Sequence, residues 1–223
     1  MYSVPSGTFL CPDLRNSIMT QGAGRQVFFS FDYEEDRNRA DAVFQLLRKQ
    51  DAVPGEAGFA GSGLWQTATG PSNEEVKQLV GETIGRTLAT CVLVGARTSE
   101  REWIRYEIAQ SLERGNALLA VRINGIADSG TRVTSPAGRN PLAYMGLGKS
   151  RDGEYFIFEN SNAQWIRYQD HPQPIAKPSY LPEMSVGYVQ PLTVGLVEYD
   201  YVKQDGARNL SAWIERAINA AGE

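Results

Sequence analysis

Two short segments concentrate the side chains able to do chemistry. One is Ser30-Phe31-Asp32-Tyr33-Glu34-Glu35-Asp36, a hydroxyl followed by carboxylates set among aromatics; the other is Arg97-Thr98-Ser99 leading into Trp103 and Glu107. The only histidine is His171 and the only cysteines are Cys11 and Cys91. Neither a histidine- or cysteine-based metal centre nor a disulfide framework can be assembled from so few ligands, so no metal site is expected. The chemistry falls to carboxylates, hydroxyls and backbone. Residues four apart share a helix face, which puts Trp103 beside Glu107 and turns both away from the apolar Ile104, Ile108, Leu112 stripe, toward a crevice. The plainer readings are a solvated glutamate, an Asp36 that caps a helix, and acidic residues 32–36 that meet solvent rather than a divalent ion.

The elements that must position these residues follow from periodicity. Val27-Phe28-Phe29-Ser30-Phe31 is short, aromatic and β-favouring, as expected of the first, central strand, buried on both faces. A helix opened by Asp36 has Ala40, Val43, Phe44 and Leu47 as its inner stripe. Residues 54–71 are rich in glycine and carry Trp65 in a loop, with a short strand near Phe59; Trp65 plugs that loop or touches a substrate. Ser72 to Glu75 has capping-box spacing before a helix with Val76, Leu79, Val80 and Thr83 inward. Thr90–Val94 is the next strand, and Ser99 to Glu102 repeats the capping-box spacing before the helix that carries Glu107 and ends near Gly115. Ala117–Val121 follows as a strand. Strand and helix alternating in this way predict an α/β, doubly wound, mostly parallel sheet with helices on both faces. About 124–184 breaks the rhythm as an insertion before the last strand, with a hairpin pairing Tyr155–Phe158 with Trp165–Tyr168. A strand within 192–201 and a helix striped by Leu210, Trp213, Ile214, Ala217, Ile218 and Ala221 close the chain. Residues 1–24 read as a leader, and 25–223 as one domain.

The 223 residues are 42% hydrophobic, enough for a sizeable core. A formal net charge of -4 gives no basic footprint, so nucleic acid is not an expected partner. Pro5, Pro12, Asp13 and Arg15 interrupt any apolar start, and no apolar run is long enough for a membrane, so a cytoplasmic protein is expected. A site in a parallel sheet lies beyond the carboxyl ends of the strands, where both chemical segments fall. The turn after the first strand has neither the dinucleotide fingerprint nor a phosphate loop. Its acidity would repel the anion of a flavodoxin-type cradle. A receiver-type phosphoacceptor, on Asp32 or Asp36, suits the acidic run but wants an aspartate where Val94-Gly95-Ala96 stands.

The segment Cys91-Val92-Leu93-Val94-Gly95-Ala96-Arg97-Thr98-Ser99-Glu100-Arg101-Glu102-Trp103-Ile104-Arg105-Tyr106-Glu107-Ile108 resembles the matching segment of TIR domains. Val27–Phe31, Ser62-Gly63-Leu64-Trp65, Arg114-Gly115-Asn116, Asn140-Pro141-Leu142, Tyr199-Asp200-Tyr201-Val202, Asp205-Gly206 and Ser211-Ala212-Trp213-Ile214 extend the likeness over nearly everything after Gly24. They narrow it to the TIR-like family of the bacterial Thoeris anti-phage systems, with smaller residues than that pattern at Tyr201, Ala207 and Leu210. The resemblance implies a flavodoxin-like fold and an enzyme that cleaves NAD+ to nicotinamide and ADP-ribose or a cyclic isomer. In it Glu107 is the catalytic carboxylate, and Ser30, Phe31, Asp32, Trp65, Ser99 and Trp103 bind substrate. NAD+ is then substrate and no separate cofactor is expected. Implied partners are an effector reached through the nucleotide messenger, a phage-derived trigger and a homo-oligomer. The competing reading is a catalytically silent TIR-like scaffold that signals by homotypic assembly.

Overall fold

The computed structural model describes residues 27–49 and 73–222. The leader, Trp65, the glycine-rich loop and the strand expected near Phe59 lie outside the described residues. In chain order the elements are β1 (Val27–Ser30), α1 (Tyr33–Lys49), α2 (Asn73–Ile84), β2 (Ala89–Val94), α3 (Glu102–Arg114) and β3 (Ala117–Arg122). These are followed by β4 (Met145–Lys149), β5 (Tyr155–Ser161), β6 (Gln164–Arg167), β7 (Val189–Pro191), β8 (Glu198–Asp200) and α4 (Gly206–Gly222). Strands β1, β2, β3 and β8 pair in parallel in that order, which is the expected α/β sheet. β1 was expected to be central; among the described residues it stands at the end of this sheet, next to β2.

Both faces of the sheet are covered. On one, Val27, Phe29 and Phe31 join Ala40, Val43, Phe44 and Leu47 of α1 and Leu210, Trp213 and Ile214 of α4. Tyr199 of β8 stacks flat on Trp213 at 4.3 Å between ring centroids. On the other, Phe28 meets Val80 and Ile84 of α2 and Tyr106 of α3. The α2 stripe is Val76, Val80 and Ile84, whereas the expected Leu79 is 38% exposed: the helix meets its neighbours along i, i+4, i+8 and leaves Leu79 at the edge. α3 ends as its sequence requires, with Gly115 in the left-handed region at φ 73° and the Gly115 and Asn116 amides closing on Leu112 and Ser111 carbonyls.

The insertion, expected over about 124–184, forms an antiparallel sheet in the order β6-β5-β4-β7, whose last strand lies beyond that bound at Val189–Pro191. The expected hairpin is β5 and β6, joined through Asn162 and Ala163, both at positive φ as a tight two-residue hairpin turn demands. Met145, Leu147 and Ile157 of this sheet pack with Ile104, Ile108 and Leu112 of α3. α3 is thereby enclosed between two sheets. Among the described residues no helix is long and apolar enough to cross a membrane.

Candidate active site

Strand alternation sorts the residues around the carboxyl end of β1. Val27, Phe29 and Phe31 turn into the core with α1 and α4, while Phe28 and Ser30 turn toward α2 and α3. Phe31 is thus a core residue, edge-on to Phe44 at 5.8 Å between centroids, on the face opposite Ser30. The structure does not bring Phe31 to Glu107.

It does bring Ser30. The Ser30 Oγ donates to Glu107 Oε2 at 2.5 Å, across 77 residues of sequence. Glu107 was expected to face a crevice, yet its exposure is 0%. A single amphipathic stripe does not describe α3, because the helix meets more than one layer: Ile104, Ile108 and Leu112 pack with the parallel sheet and the sheet of the insertion, and Tyr106 packs with Phe28 and α2. Everything from Tyr106 to Leu112 on this helix is buried. The backbone beneath the carboxylate is pinned as well: Ser111 Oγ donates to the Glu107 carbonyl at 2.7 Å and shares a 2.7 Å hydrogen bond with Thr90 Oγ1 of β2. A hydroxyl pair between helix and strand therefore fixes the turn that carries Glu107.

Asp32, two residues beyond Ser30, is 2% exposed and accepts from Arg101 Nε at 2.7 Å; Arg101 Nη2 also donates to Glu34 at 2.8 Å. Arg97 meets Glu35 at 3.6 Å and Glu100 at 2.9 Å. The acidic run is thus neutralised by arginines from the loop before α3. Sequence reading missed Arg101; the complementary signal was the spacing of Arg97 and Arg101 opposite an acidic turn.

Asp36 does not open its helix. α1 starts at Tyr33, the Asp36 amide already bonds the Asp32 carbonyl, and the Asp36 side chain is buried beside Arg39 at 3.2 Å. Burial pushes its carboxyl up to about 6 against the pull of Arg39. Its Oδ2 has no hydrogen-bond partner and lies so close to Gly95 that a Cβ there would sit 1.8 Å away. The Arg39 guanidinium, expected off the apolar stripe, also grips the Ile126 and Val133 carbonyls at 3.1 Å each, tying α1 to the loop after β3. With Asp32 held by Arg101 and Asp36 sealed against Gly95, neither aspartate is presented for phosphoryl transfer.

Ser99 does not cap α3. It lies in a 3-10 turn, Thr98–Glu100; Arg101 holds the N-cap position and makes no side-chain cap bond. The buried hydroxyl is that of Thr98, which accepts from the Gly95 amide at 2.8 Å and so folds the loop back on the end of β2. The Ser99 carbonyl accepts from Arg105. Trp103 is half-buried and packs edge-on against Tyr106 at 6.0 Å between centroids, next to the Phe28 cluster. Burial lifts the Tyr106 phenol to about 12, so at neutral pH it remains a donor, to the Lys77 carbonyl. Among the described residues no three metal-ligating side chains come together.

A parallel α/β sheet with a buried carboxylate on α3, held at the carboxyl end of its first strand, has the architecture implied by the likeness to TIR domains. The family model described as Thoeris protein ThsB, TIR-like domain, matches residues 28–128, a span that contains Ser30, Asp32, Arg101, Trp103 and Glu107 and ends before the antiparallel sheet. A protein of Bacillus cereus (strain MSX-D12) named "Putative cyclic ADP-D-ribose synthase ThsB1" is 31% identical over 191 residues, covering 85% of this chain and 98% of that one. The chain belongs to the TIR-like ThsB family of Thoeris proteins.

Proposed function

We propose that this protein cleaves the bond between nicotinamide and ribose in NAD+, with Glu107 as the catalytic carboxylate, and yields ADP-ribose in a cyclic form that serves as a messenger to a partner effector in anti-phage defence. The observation that carries this reading is the buried, hydroxyl-anchored Glu107 at the carboxyl end of β1, in a chain similar along most of its length to a protein named for cyclic ADP-D-ribose synthesis.

Nicotinamide leaves as a neutral base, so its departure needs no general acid; the demand on the protein is to stabilise positive charge at the anomeric carbon as the bond stretches. A carboxylate preorganised in a site screened from solvent meets that demand better than one in water. The same screening favours capture of the cation by another atom of the same molecule over hydrolysis, which supports a cyclic product. Because Glu107 is fully buried, the ribose reaches it through local opening of the segments around it.

Purified protein incubated with NAD+, alone and in extracts of phage-infected cells, is expected to release nicotinamide. Glu107→Gln should lower the rate by about two orders of magnitude or more. Equal turnover by the variant overturns the assignment. Phage protection that persists in Glu107→Gln would instead place the function in homotypic assembly.

A further inference from the structure

We infer that Ser30 and Asp32 are positioning residues, which serve the reaction by holding the Glu107 carboxylate and the start of α3 in place rather than by touching the dinucleotide. This rests on the assignment of Glu107 as the catalytic group.

The inference follows from how one edge of β1 meets α3. Residues two apart on a strand point the same way, about 7 Å along the chain from each other. Phe28 and Ser30 form such a pair on β1, Asp32 follows just past its end, and each engages α3 or its N-cap: Phe28 packs with Tyr106, Ser30 bonds Glu107, and Asp32 bonds Arg101. The series runs toward the carboxyl end of the strand, and its last member meets the N-cap of the helix. Its members change from apolar to hydroxyl to ion pair as it nears the surface.

The donor and acceptor tally argues against direct substrate contact. A serine hydroxyl has one proton to give, and that of Ser30 is committed to Glu107 Oε2. Asp32 is 2% exposed and its Oδ2 is occupied by Arg101 Nε, while Arg101 Nη2 is held by Glu34. A glutamate side chain has several rotatable bonds, and burial alone does not select one carboxylate position; a hydroxyl from the neighbouring strand does. Arg101 performs the matching task for the backbone, since the N-cap residue of α3 makes no capping bond of its own and is anchored through its guanidinium instead. Reaction geometry is sensitive to displacements of about 1 Å, so loss of either anchor slows the chemical step without weakening binding.

The test is a kinetic split. Ser30→Ala is expected to lower kcat roughly ten- to hundredfold, with KM within about twofold of wild type. Ser30→Thr, which keeps the hydroxyl, should restore most of the loss. Asp32→Asn should lower kcat less, again at constant KM. A rise in KM of tenfold or more at unchanged kcat for Ser30→Ala overturns the inference and makes Ser30 a substrate contact. A second measurement needs no turnover: thermal melting of the full chain as wild type, Ser30→Ala, Glu107→Gln and the double variant. Coupling predicts that the double variant melts no more than a degree or two below the worse single one; strictly additive losses overturn the Ser30–Glu107 link. Coupling in a protein whose wild type cleaves no NAD+ in infected-cell extract overturns the reaction itself, and leaves the pair as a purely structural contact.

Discussion

α3 and α4 lie on opposite faces of the same parallel sheet and are built on opposite terms. α4 is the ordinary solution: 17 residues, of which Gly206, Leu210, Trp213 and Ile214 are buried, so one stripe is sunk in the core and the rest faces water. α3 buries eight of its 13 residues, among them Glu107, Gln110 and Ser111. A helix enclosed on several sides must satisfy its polar groups inside the protein, and Thr90 and Ser30 do this for Ser111 and Glu107. The apolar helix holds the sheet together. The polar one is where a carboxylate can be kept dry and oriented, at the cost of a network that must be complete.

Substitutions that separate these roles would break or sharpen the contrast. The largest effect is expected in the apolar layer: Trp213→Ala, at a site 6% exposed and stacked on Tyr199, should lose about 3–5 kcal/mol in urea unfolding, while kcat per folded molecule stays unchanged. A fall in kcat at temperatures where the variant is still folded would show that the two faces are not independent. Gly95→Ala comes next, at about 3 kcal/mol, because the new methyl would sit 1.8 Å from the Asp36 carboxylate.

Asp36→Asn should do the reverse above neutrality. A carboxyl raised to about 6 from 3.8 holds its proton longer when folded, so stability falls as pH rises through that window and the full cost is present above it. Between pH 4 and pH 7.5 the variant should gain about 2 kcal/mol on wild type, a figure that already includes the pull of Arg39. Parallel unfolding curves at the two pH values would refute the burial argument. The smallest effect belongs to the rim: Glu34 keeps 59% of its side chain in solvent, and Glu34→Ala should change stability by no more than about 0.5 kcal/mol. A much larger loss would mean that the Arg101 anchor depends on both carboxylates.

Much of the apolar half could be read from the chain. The stripes of α1 and α4 recur every three or four residues because each faces one layer, and Ala40, Val43, Phe44 and Leu47 are buried as that pattern requires. The pattern failed where a helix touches more than one layer. Leu79 looked inward and is exposed, Arg39 looked outward and is buried, and the spacings that suggested helix starts at Asp36 and Ser99 were overruled by Tyr33 and by Arg101 at the N-cap. Capping by spacing ran from the wrong residues; here a guanidinium anchored 69 residues away and a buried threonine bonded to the end of β2 took its place.

What the chain alone determined is where the side chains able to do chemistry lie: one histidine and two cysteines leave carboxylates as the candidates, and Trp103 and Glu107 share a helix that follows a parallel strand. What only the tertiary structure decided is the state of that carboxylate. It lies on a helix packed against the parallel sheet, α2 and the sheet of the insertion, and it accepts from a serine 77 residues away. Neither is a local property, because helical periodicity reports which way a side chain points and not what a later segment of the chain will lay over it.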